Sequence, residues 1–308
     1  VCVCVFSRER DCMEGIRKLC DAGSHYEAFS LINSIVMRLQ RKQKMADAEA
    51  MYFDGAELLL EHRQFELVCP LMQTMLKWFV TMQRQLTLRT AERIAEILSE
   101  VPATQHYELK RGVVEEAIRW SSKYTYSLGS GGQGFAGFHL ILARDATSQE
   151  DYSTAEHHFV RCLAPEEFAC MLVKWADYGH DEEKDLFLTR AVLRTFAVWS
   201  VPWVPRLIDT FVEEAGWCED DETPLIHFCR LLCKCFLAPE PSESFLFFLH
   251  QNYAPSLARD PAFSKLLKEA HSVCVLRQSV DSSTNPLSSI LGSLFGGGGS
   301  SSSSNTAL

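Results

Sequence analysis

Hydrophobic side chains recur along nearly the whole chain at the 3.6-residue spacing of an α-helix. One stripe runs through Met45, Ala48, Tyr52, Ala56 and Leu59. Convincing alternation of apolar and polar residues, which marks a half-buried strand, is absent. The pattern predicts helices over residues 9–21, 25–40, 45–61, 64–82, 87–100, 105–122, 136–148, 151–162, 165–178, 183–200, 203–215, 224–237, 241–253 and 261–277.

Prolines mark the start of several of these helices. Pro165, Pro224 and Pro261 each stand where a helix begins, and proline is favoured at the first helical position because the N–H it lacks is unpaired there anyway. Most connections are short, and short loops between amphipathic helices give antiparallel pairs. The sequence therefore predicts an all-α fold, an α-solenoid of stacked antiparallel helix pairs.

Two stretches are similar to tetratricopeptide-type helix pairs. Gly23–Ala28 has a small residue and an aromatic residue ahead of a helix, and Asp151–Phe159 is similar to a central repeat portion that Pro165 closes. A small residue lets helices approach closely, and an aromatic one wedges between pairs. No strict 34-residue period holds, so we expect a degenerate solenoid.

Two segments interrupt the helical pattern. Residues 123–137 contain the glycine-rich stretch Gly129–Gly134 and are predicted to form a connector. Residues 278–308 are rich in serine and glycine, which cannot bury a core, and we expect disorder there. Within this tail the apolar residues recur at helical spacing, which is typical of a docking element: Leu287, Ile290, Leu291, Leu294 and Phe295.

Composition is that of a globular protein, with 308 residues, 47% hydrophobic and 23% charged. The net charge of −10 argues against nucleic-acid binding, which depends on clustered lysine and arginine. The charge is uneven, at −1 over residues 1–150 and −9 over residues 151–308. The acidic half could attract a basic partner or simply favour solubility. No apolar run reaches the length of about 18 residues that a membrane span needs.

The twelve cysteines fall mainly within apolar helical patterns, where a free thiol packs as a small hydrophobic group. A disulfide framework belongs to short secreted chains. The start, Val1–Phe6, is too short for a secretory signal and lacks a preceding basic region. These features predict a reducing compartment, the cytosol.

A search for chemistry finds little. Gly129–Gly134 lacks the strand and the closing Lys-Ser or Lys-Thr of a phosphate loop. His157 and His158 point to different helix faces, and Cys229, Cys233 and Cys235 lie among apolar residues without a matching second pair, so packing is favoured over zinc. No Gly-x-Ser-x-Gly elbow appears. The residues therefore predict a non-enzymatic binding scaffold with no metal, no cofactor and no catalytic residue.

Several stretches, in order along the chain, resemble the Golgi-to-ER traffic protein four family, the scaffold of the guided-entry pathway for tail-anchored membrane proteins. The resemblance covers roughly the whole chain from about residue 9. The stretches that carry it are Gly23–Ala28, Met37–Arg38, Ala48–Met51 with Gly55–Ala56, Ala117–Ser122, Tyr152–Phe159, Cys170–Leu172 and Asn285–Gly297.

This resemblance implies a cytosolic adaptor for the targeting of tail-anchored proteins to the endoplasmic reticulum. It implies that residues 9–122 face the pathway's targeting ATPase. It also implies that residues 138–277 hold a ubiquitin-like subunit, and that a BAG-type chaperone subunit joins in animals. None of these partners follows from periodicity.

The resemblance also implies site residues. Arg38 and Glu66 match charged positions of the ATPase face, against the plain alternative of solvent-exposed charges. Residues 200–253 are the expected groove for the ubiquitin-like partner, with a hairpin-like insertion at Trp217–Thr223. The expected apolar anchors of this groove, for which core packing is the alternative, are Leu232, Phe236, Phe245 and Phe248.

Two other classes of protein remain open. The first is a generic tetratricopeptide-like or proteasome-lid-type scaffold, although a carboxylate-clamp co-chaperone would need basic concave helices and the C-terminal half here is acidic. Whichever scaffold this is, the best candidates for contacting a basic peptide are the acidic runs Asp181–Glu183 and Glu219–Glu222. The second is an all-helical enzyme, which would need aspartate-rich metal motifs that Asp220-Asp221 does not supply.

Overall fold

A computed structural model describes residues 2–124, 132–199, 202–217 and 222–276, with backbone alone for residues 2–11, 124 and 276. The chain divides into two compact units, residues 1–163 and 164–308. No strand occurs in the described ranges, which confirms the predicted all-α class. Residues 218–221 of the expected hairpin insertion and the whole of 278–308 lie outside them. The domain bounds given above concern partner binding and stay a prediction.

The first unit contains eight described helices. They are α1 (Cys2–Asp21), α2 (His25–Arg41), α3 (Met45–Glu61), α4 (Phe65–Thr81), α5 (Leu88–Glu100), α6 (Ala103–Tyr124), α7 (Ala136–Ser148) and α8 (Tyr152–Phe159). Each of α1 to α3 packs on the next helix, and contacts also join α1 with α3, α2 with α4, α3 with α5, and α5 with α7. Contact with both the next helix and the one after it is the packing of a solenoid.

The turns after α1 to α4 repeat one geometry at positions twenty residues apart. The turn residues Gly23, Gln43, Arg63 and Gln83 all have left-handed backbones, with φ between 49° and 80°. In each turn the following residue donates its N–H to the carbonyl five residues earlier, as Lys44 does to Leu39 at 3.0 Å. This is a Schellman closure, which satisfies the last carbonyls of the helix with main-chain atoms.

Close approach of α2 and α3 depends on a small residue. Gly55 lies in α3 against Ile32 of α2, and a Cβ at Gly55 would stand 2.9 Å from the Ile32 Cδ1 atom. A side chain there would force the fully buried Ile32 side chain to shift within a close-packed core. The glycine of the Gly55–Ala56 motif is therefore a packing requirement.

The described end of the predicted connector is fastened to α6. The Phe135 N–H donates to Ser121 Oγ at 3.0 Å, and the Phe135 ring packs edge-on against Phe138. Gly134 has φ +91° and approaches the Ile118 carbonyl so closely that a Cβ would stand 3.1 Å from it. Residues 125–131 of the connector lie outside the described ranges.

The second unit contains seven described helices. They are α9 (Pro165–Ala176), α10 (Lys184–Val198), α11 (Val204–Glu214), α12 (Pro224–Phe236), α13 (Glu243–Asn252), α14 (Ala254–Leu257) and α15 (Ala262–His271). A 3₁₀ turn, Asp181–Glu183, leads into α10, and a π-helical turn, Ser272–Leu276, follows α15. Here α9 packs on α11, and α10 packs on α15 and α12. No described helix of the chain is long and apolar enough to cross a membrane.

Candidate protein-binding surfaces

Arg38 lies on the solvent side of α2. It is exposed, while Ala28, Ile32 and Val36 of the same helix are buried in the core of the first unit. Its neighbour Met37 is 52% exposed. Arginine and methionine are both enriched in protein interfaces. This end of α2 therefore has the composition of a binding surface.

Glu66 is the second residue of α4 and is exposed. Its acidic side chain suits the positive N-terminal end of a helix. Pro70 lies four residues later within α4 and has no N–H to donate to the Glu66 carbonyl. Both the carboxylate and the carbonyl of Glu66 are thus acceptors at this helix end.

The structure does not bring Arg38 and Glu66 together. Because α3 runs antiparallel between α2 and α4, α2 and α4 point the same way, with Arg38 near the end of α2 and Glu66 at the start of α4. At about 1.5 Å per residue, the two positions are roughly 18 Å apart along the helices. They mark opposite ends of one helix layer.

Exposed apolar side chains that the helical pattern did not single out lie at the same helix ends as these charges. Tyr26 is 74% exposed at the N-terminal end of α2, the end that carries Glu66 on α4. Val80 and Met82 are exposed at the C-terminal end of α4, the end that carries Arg38 on α2. We name the α2–α4 surface after its exposed members Tyr26, Met37, Arg38, Glu66, Val80 and Met82. The sequence does contain a signal for Tyr26 and Met37 as exposed neighbours on one helix face. They are eleven residues, or about three turns, apart and lie off the core stripe.

In the second unit Leu232 and Phe236 are core residues. Both side chains are fully buried, and the Phe236 ring packs edge-on against Phe196 of α10 at 5.2 Å. Their position is therefore that of core packing, the alternative given above for the expected groove residues. In this conformation neither side chain is open to a partner, and Phe236 holds α12 against α10.

Phe245 and Phe248 of α13 lie nearer the solvent. Phe248 is 55% exposed and Phe245 is partly buried, and their rings stack at 6.4 Å with an interplanar angle of 18°. Leu246 and Leu249 on the other side of α13 are buried and fix the helix to the unit. We name Phe245 and Phe248 the α13 aromatic pair. Of the four expected groove residues, these two have side chains that reach the solvent, and the groove itself stays a prediction.

A pair of histidines joins α7 and α8. His139 Nε2 lies 2.8 Å from the Gln133 carbonyl, which can only accept, so this nitrogen carries the proton. In neutral His139 the Nδ1 atom then accepts, and His158 donates to it from its own Nδ1 at 2.9 Å. Burial lowers the pKa of His139 to about 4 and that of His158 to about 3, and Arg161 and His157 add repulsion.

One ion pair is almost completely buried. Lys110 of α6 donates to Asp145 of α7 at 3.0 Å, and their side chains are 3% and 10% exposed. Burial raises the pKa of Asp145, and Lys110 opposes that rise by stabilising the carboxylate. This pair holds two helices together and lies away from the α2–α4 surface.

The cysteines and histidines offer no metal site in the described part of the chain. No group of three potential ligands occurs there. The thiols of Cys229 and Cys233 are buried, and burial raises the pKa of Cys229 to about 12. Such thiols remain protonated and pack as small apolar groups.

The described surface also has concave features, of which two lie apart from the histidine pair. A groove of about 500 Å³ in the first unit has Leu60, Ala95 and Leu140 among its lining residues and carboxylates such as Glu96 at its edge. A smaller cleft of about 200 Å³ in the second unit lies between α13, α14 and α15. Neither coincides with the α2–α4 surface or with the α13 aromatic pair.

Comparison with known proteins gives one consistent result. The family model described as Golgi to ER traffic protein 4 matches residues 42–295. A Golgi to ER traffic protein 4 homolog of Dictyostelium discoideum is 27% identical over 278 residues, which is 89% of this chain and 86% of the relative. The human homolog is 25% identical over 257 residues, which is 82% of this chain and 76% of the relative.

The fold agrees with a solved structure. The crystal structure of C. therm. Get4 superposes with a TM-score of 0.71 and 18% sequence identity, and the match covers 98% of this chain and 100% of that one. At this identity the likeness shows the fold alone. Together with the match over residues 42–295, the helical architecture establishes that this chain belongs to the Golgi to ER traffic protein 4 family.

Proposed function

We propose that this chain is a cytosolic, non-enzymatic adaptor in the targeting of tail-anchored membrane proteins to the endoplasmic reticulum. It would bind the targeting ATPase through the first unit and a ubiquitin-like subunit through the second, with a BAG-type subunit as a further partner where one exists. Family membership supports a role in Golgi-to-ER traffic.

The proposal that each unit binds a different partner rests on one observation. Each unit exposes large apolar side chains on a helix whose other side is anchored in the core, namely Tyr26 and Met37 on α2 and Phe248 on α13. Exposed aromatic and methionine side chains are typical of interface centres. An adaptor needs separate surfaces of this kind.

For the ATPase surface, charge reversal is the direct test. We expect Arg38→Glu and Glu66→Lys each to weaken binding of the purified ATPase about five- to tenfold, mainly through slower association and with strong salt dependence. Biolayer interferometry at two salt concentrations measures this. The matched controls Arg89→Glu and Glu108→Lys reverse exposed charges on α5 and α6 and should change little.

The same variants must still bind the ubiquitin-like subunit with unchanged affinity. Equal loss of both partners would show misfolding. Unchanged ATPase affinity in both variants would contradict the assignment of the ATPase to the α2–α4 surface.

For the ubiquitin-like subunit, the α13 aromatic pair is the target. Phe248→Asp should weaken binding at least about thirtyfold, as expected when a charge replaces a central aromatic contact. Tyr178→Asp alters another exposed aromatic of the second unit, 70% exposed, and is the matched control. Full binding by Phe248→Asp together with Phe245→Asp would exclude the pair from the groove.

A further inference from the structure

The cleft between α13, α14 and α15 is apolar. Its apolar lining consists of Ala254, Leu257, Ala258, Pro261, Phe263 and Leu267. Phe263 and Leu267 are buried below 2% exposure and form the floor, whereas Ala258 and Pro261 lie at the exposed edge. At about 200 Å³ the cleft is smaller than the usual site of a drug-sized molecule. It suits one or two apolar side chains of a peptide.

The polar groups of the cleft are already engaged or neutral. Asp260 accepts from Arg190 at 2.7 Å through one carboxylate oxygen and from the Ala262 N–H at 2.8 Å through the other. Burial lowers the pKa of His250, which favours its neutral form. The one carboxylate of the lining is thus already paired, and the apolar remainder of the cleft favours an uncharged apolar ligand.

This chain contains a segment of that chemistry close by in sequence. The described residues end at Leu276, and 32 residues follow. After Asp281 none of them is charged, and the only cluster of large apolar side chains among them is Leu287, Ile290, Leu291, Leu294 and Phe295. At helical spacing these five residues share one face.

The segment can reach the cleft. Leu287 lies eleven positions after Leu276, and an extended chain of that length spans at most about 40 Å. Helix α15 has ten residues and the π-helical turn after it has five, so together they are at most about 22 Å long. The tail can therefore fold back along α15, whose first half forms one wall of the cleft.

Attachment to the same chain also removes most of the cost of association. A short tether gives an effective concentration in the millimolar range, so a contact that would be weak between separate molecules is occupied. We infer that the apolar face of Leu287–Phe295 docks in the cleft between α13, α14 and α15 of the same chain.

Paired substitutions in the full chain test this from the tail side. Leu291→Asp with Phe295→Asp places two charges on the apolar face, and Ser289→Asp with Ser293→Asp places two on the opposite face. Hydrogen exchange of the amides of residues 254–267 should be at least threefold faster in the first variant and unchanged in the second. Equal exchange in both variants would overturn the inference.

A second pair tests it from the cleft side. Ser264 lines the cleft and is exposed, so Ser264→Trp should fill it, and Lys265→Trp adds the same bulk outside it. Ser264→Trp, but not Lys265→Trp, should increase amide hydrogen exchange at residues 287–295. Circular dichroism checks that both variants are folded. Protection of 287–295 that persists in Ser264→Trp, or that disappears on tenfold dilution as expected for docking between two copies, would contradict docking within one chain.

Discussion

At the residue scale, the left-handed turn positions of the first unit are occupied mostly by residues that resist that conformation. Gly23 adopts it at no steric cost, but Gln43, Arg63 and Gln83 have a Cβ that approaches the following carbonyl. The penalty is about 1–2 kcal/mol per position. The turns exist because helix packing and the Schellman bonds outweigh it.

This penalty predicts opposite effects of glycine at these turns. Arg63→Gly should raise the free energy of unfolding by about 0.5–1 kcal/mol, since the strain removed exceeds the added freedom of the unfolded chain. Gly23→Ala should lower it by about 1 kcal/mol. Urea denaturation measures both. As a control, Gly112→Ala within α6, where a Cβ meets nothing within 4 Å, should stabilise the protein.

The histidine pair predicts a pH dependence of stability. Both pKa values lie below the ordinary 6.5, at about 4 for His139 and about 3 for His158, so the unfolded chain takes up protons first as the pH falls. The stability that the neutral pair provides is complete above about pH 6.5 and decreases toward pH 4. Urea midpoints between pH 7.5 and 4.5 should show this decrease.

A non-titrating replacement isolates the effect. In His158→Asn the amide nitrogen can donate to His139 Nδ1 in place of the ring nitrogen, so the slope of the urea midpoint against pH should become smaller. His180→Asn, at an exposed position of the second unit, serves as the control. An unchanged slope in His158→Asn would show that other groups cause the pH dependence.

At the element scale, α6 and α7 are joined by the buried pair of Lys110 and Asp145. Removing one partner from such a pair leaves an uncompensated buried charge, whereas replacing both by apolar groups is often neutral. Lys110→Met should therefore cost about 3–5 kcal/mol, and Lys110→Met with Asp145→Leu should recover most of that loss.

The stability of Lys110→Met should also depend on pH differently from that of the wild type. Without Lys110, burial keeps the pKa of Asp145 raised above its value in the unfolded chain, so the protonated carboxyl is favoured in the fold. The stability of Lys110→Met should then improve relative to the wild type as the pH falls from 7 to 5. A double-mutant cycle by urea denaturation at both pH values measures this, and additive effects of the two substitutions would contradict a coupled pair.

The observed helix ends show where the spacing of apolar residues is enough to predict a helix and where it is not. The helix predicted over 45–61 matches the structure to the residue, because its apolar stripe and the turns beside it agree. The predicted helix over 105–122 begins at Ala103 and contains a non-helical residue, His106, which no apolar pattern records. The predicted helix over 241–253 ends at Asn252, and Pro255 is the second residue of the separate short helix α14. Local backbone breaks of this kind leave the spacing of apolar residues intact.

At the scale of the whole molecule, the fold class followed from the sequence and the candidate surfaces only in part. Periodicity identifies residues that face inward, so it predicts helices and a core but cannot separate Phe236, which is buried, from Phe248, which is exposed. That difference depends on which helix covers each side chain. Arg38 and Glu66 are exposed, as charges off the core stripe should be, but their placement at opposite ends of one layer needed the fold.

The uneven net charge of the chain can also be assigned to the two units. Residues 1–163 carry a net charge of −2 and residues 164–308 carry −8, so the acidity belongs to the second unit. Under the proposed function, partners of the two units meet different electrostatic fields. Association with the second unit should accordingly respond more strongly to ionic strength when the partner is basic.

The repeated turns after α1 to α4 bear on how such a protein diverges. Each is closed by main-chain N–H and carbonyl groups, and α2, α3 and α4 begin without a side-chain cap. Turns whose hydrogen bonds involve no side chain can accept substitutions while the helical architecture is kept. A solved structure only 18% identical can therefore share this fold, and recognition of distant relatives depends less on turn motifs than on the spacing of helices.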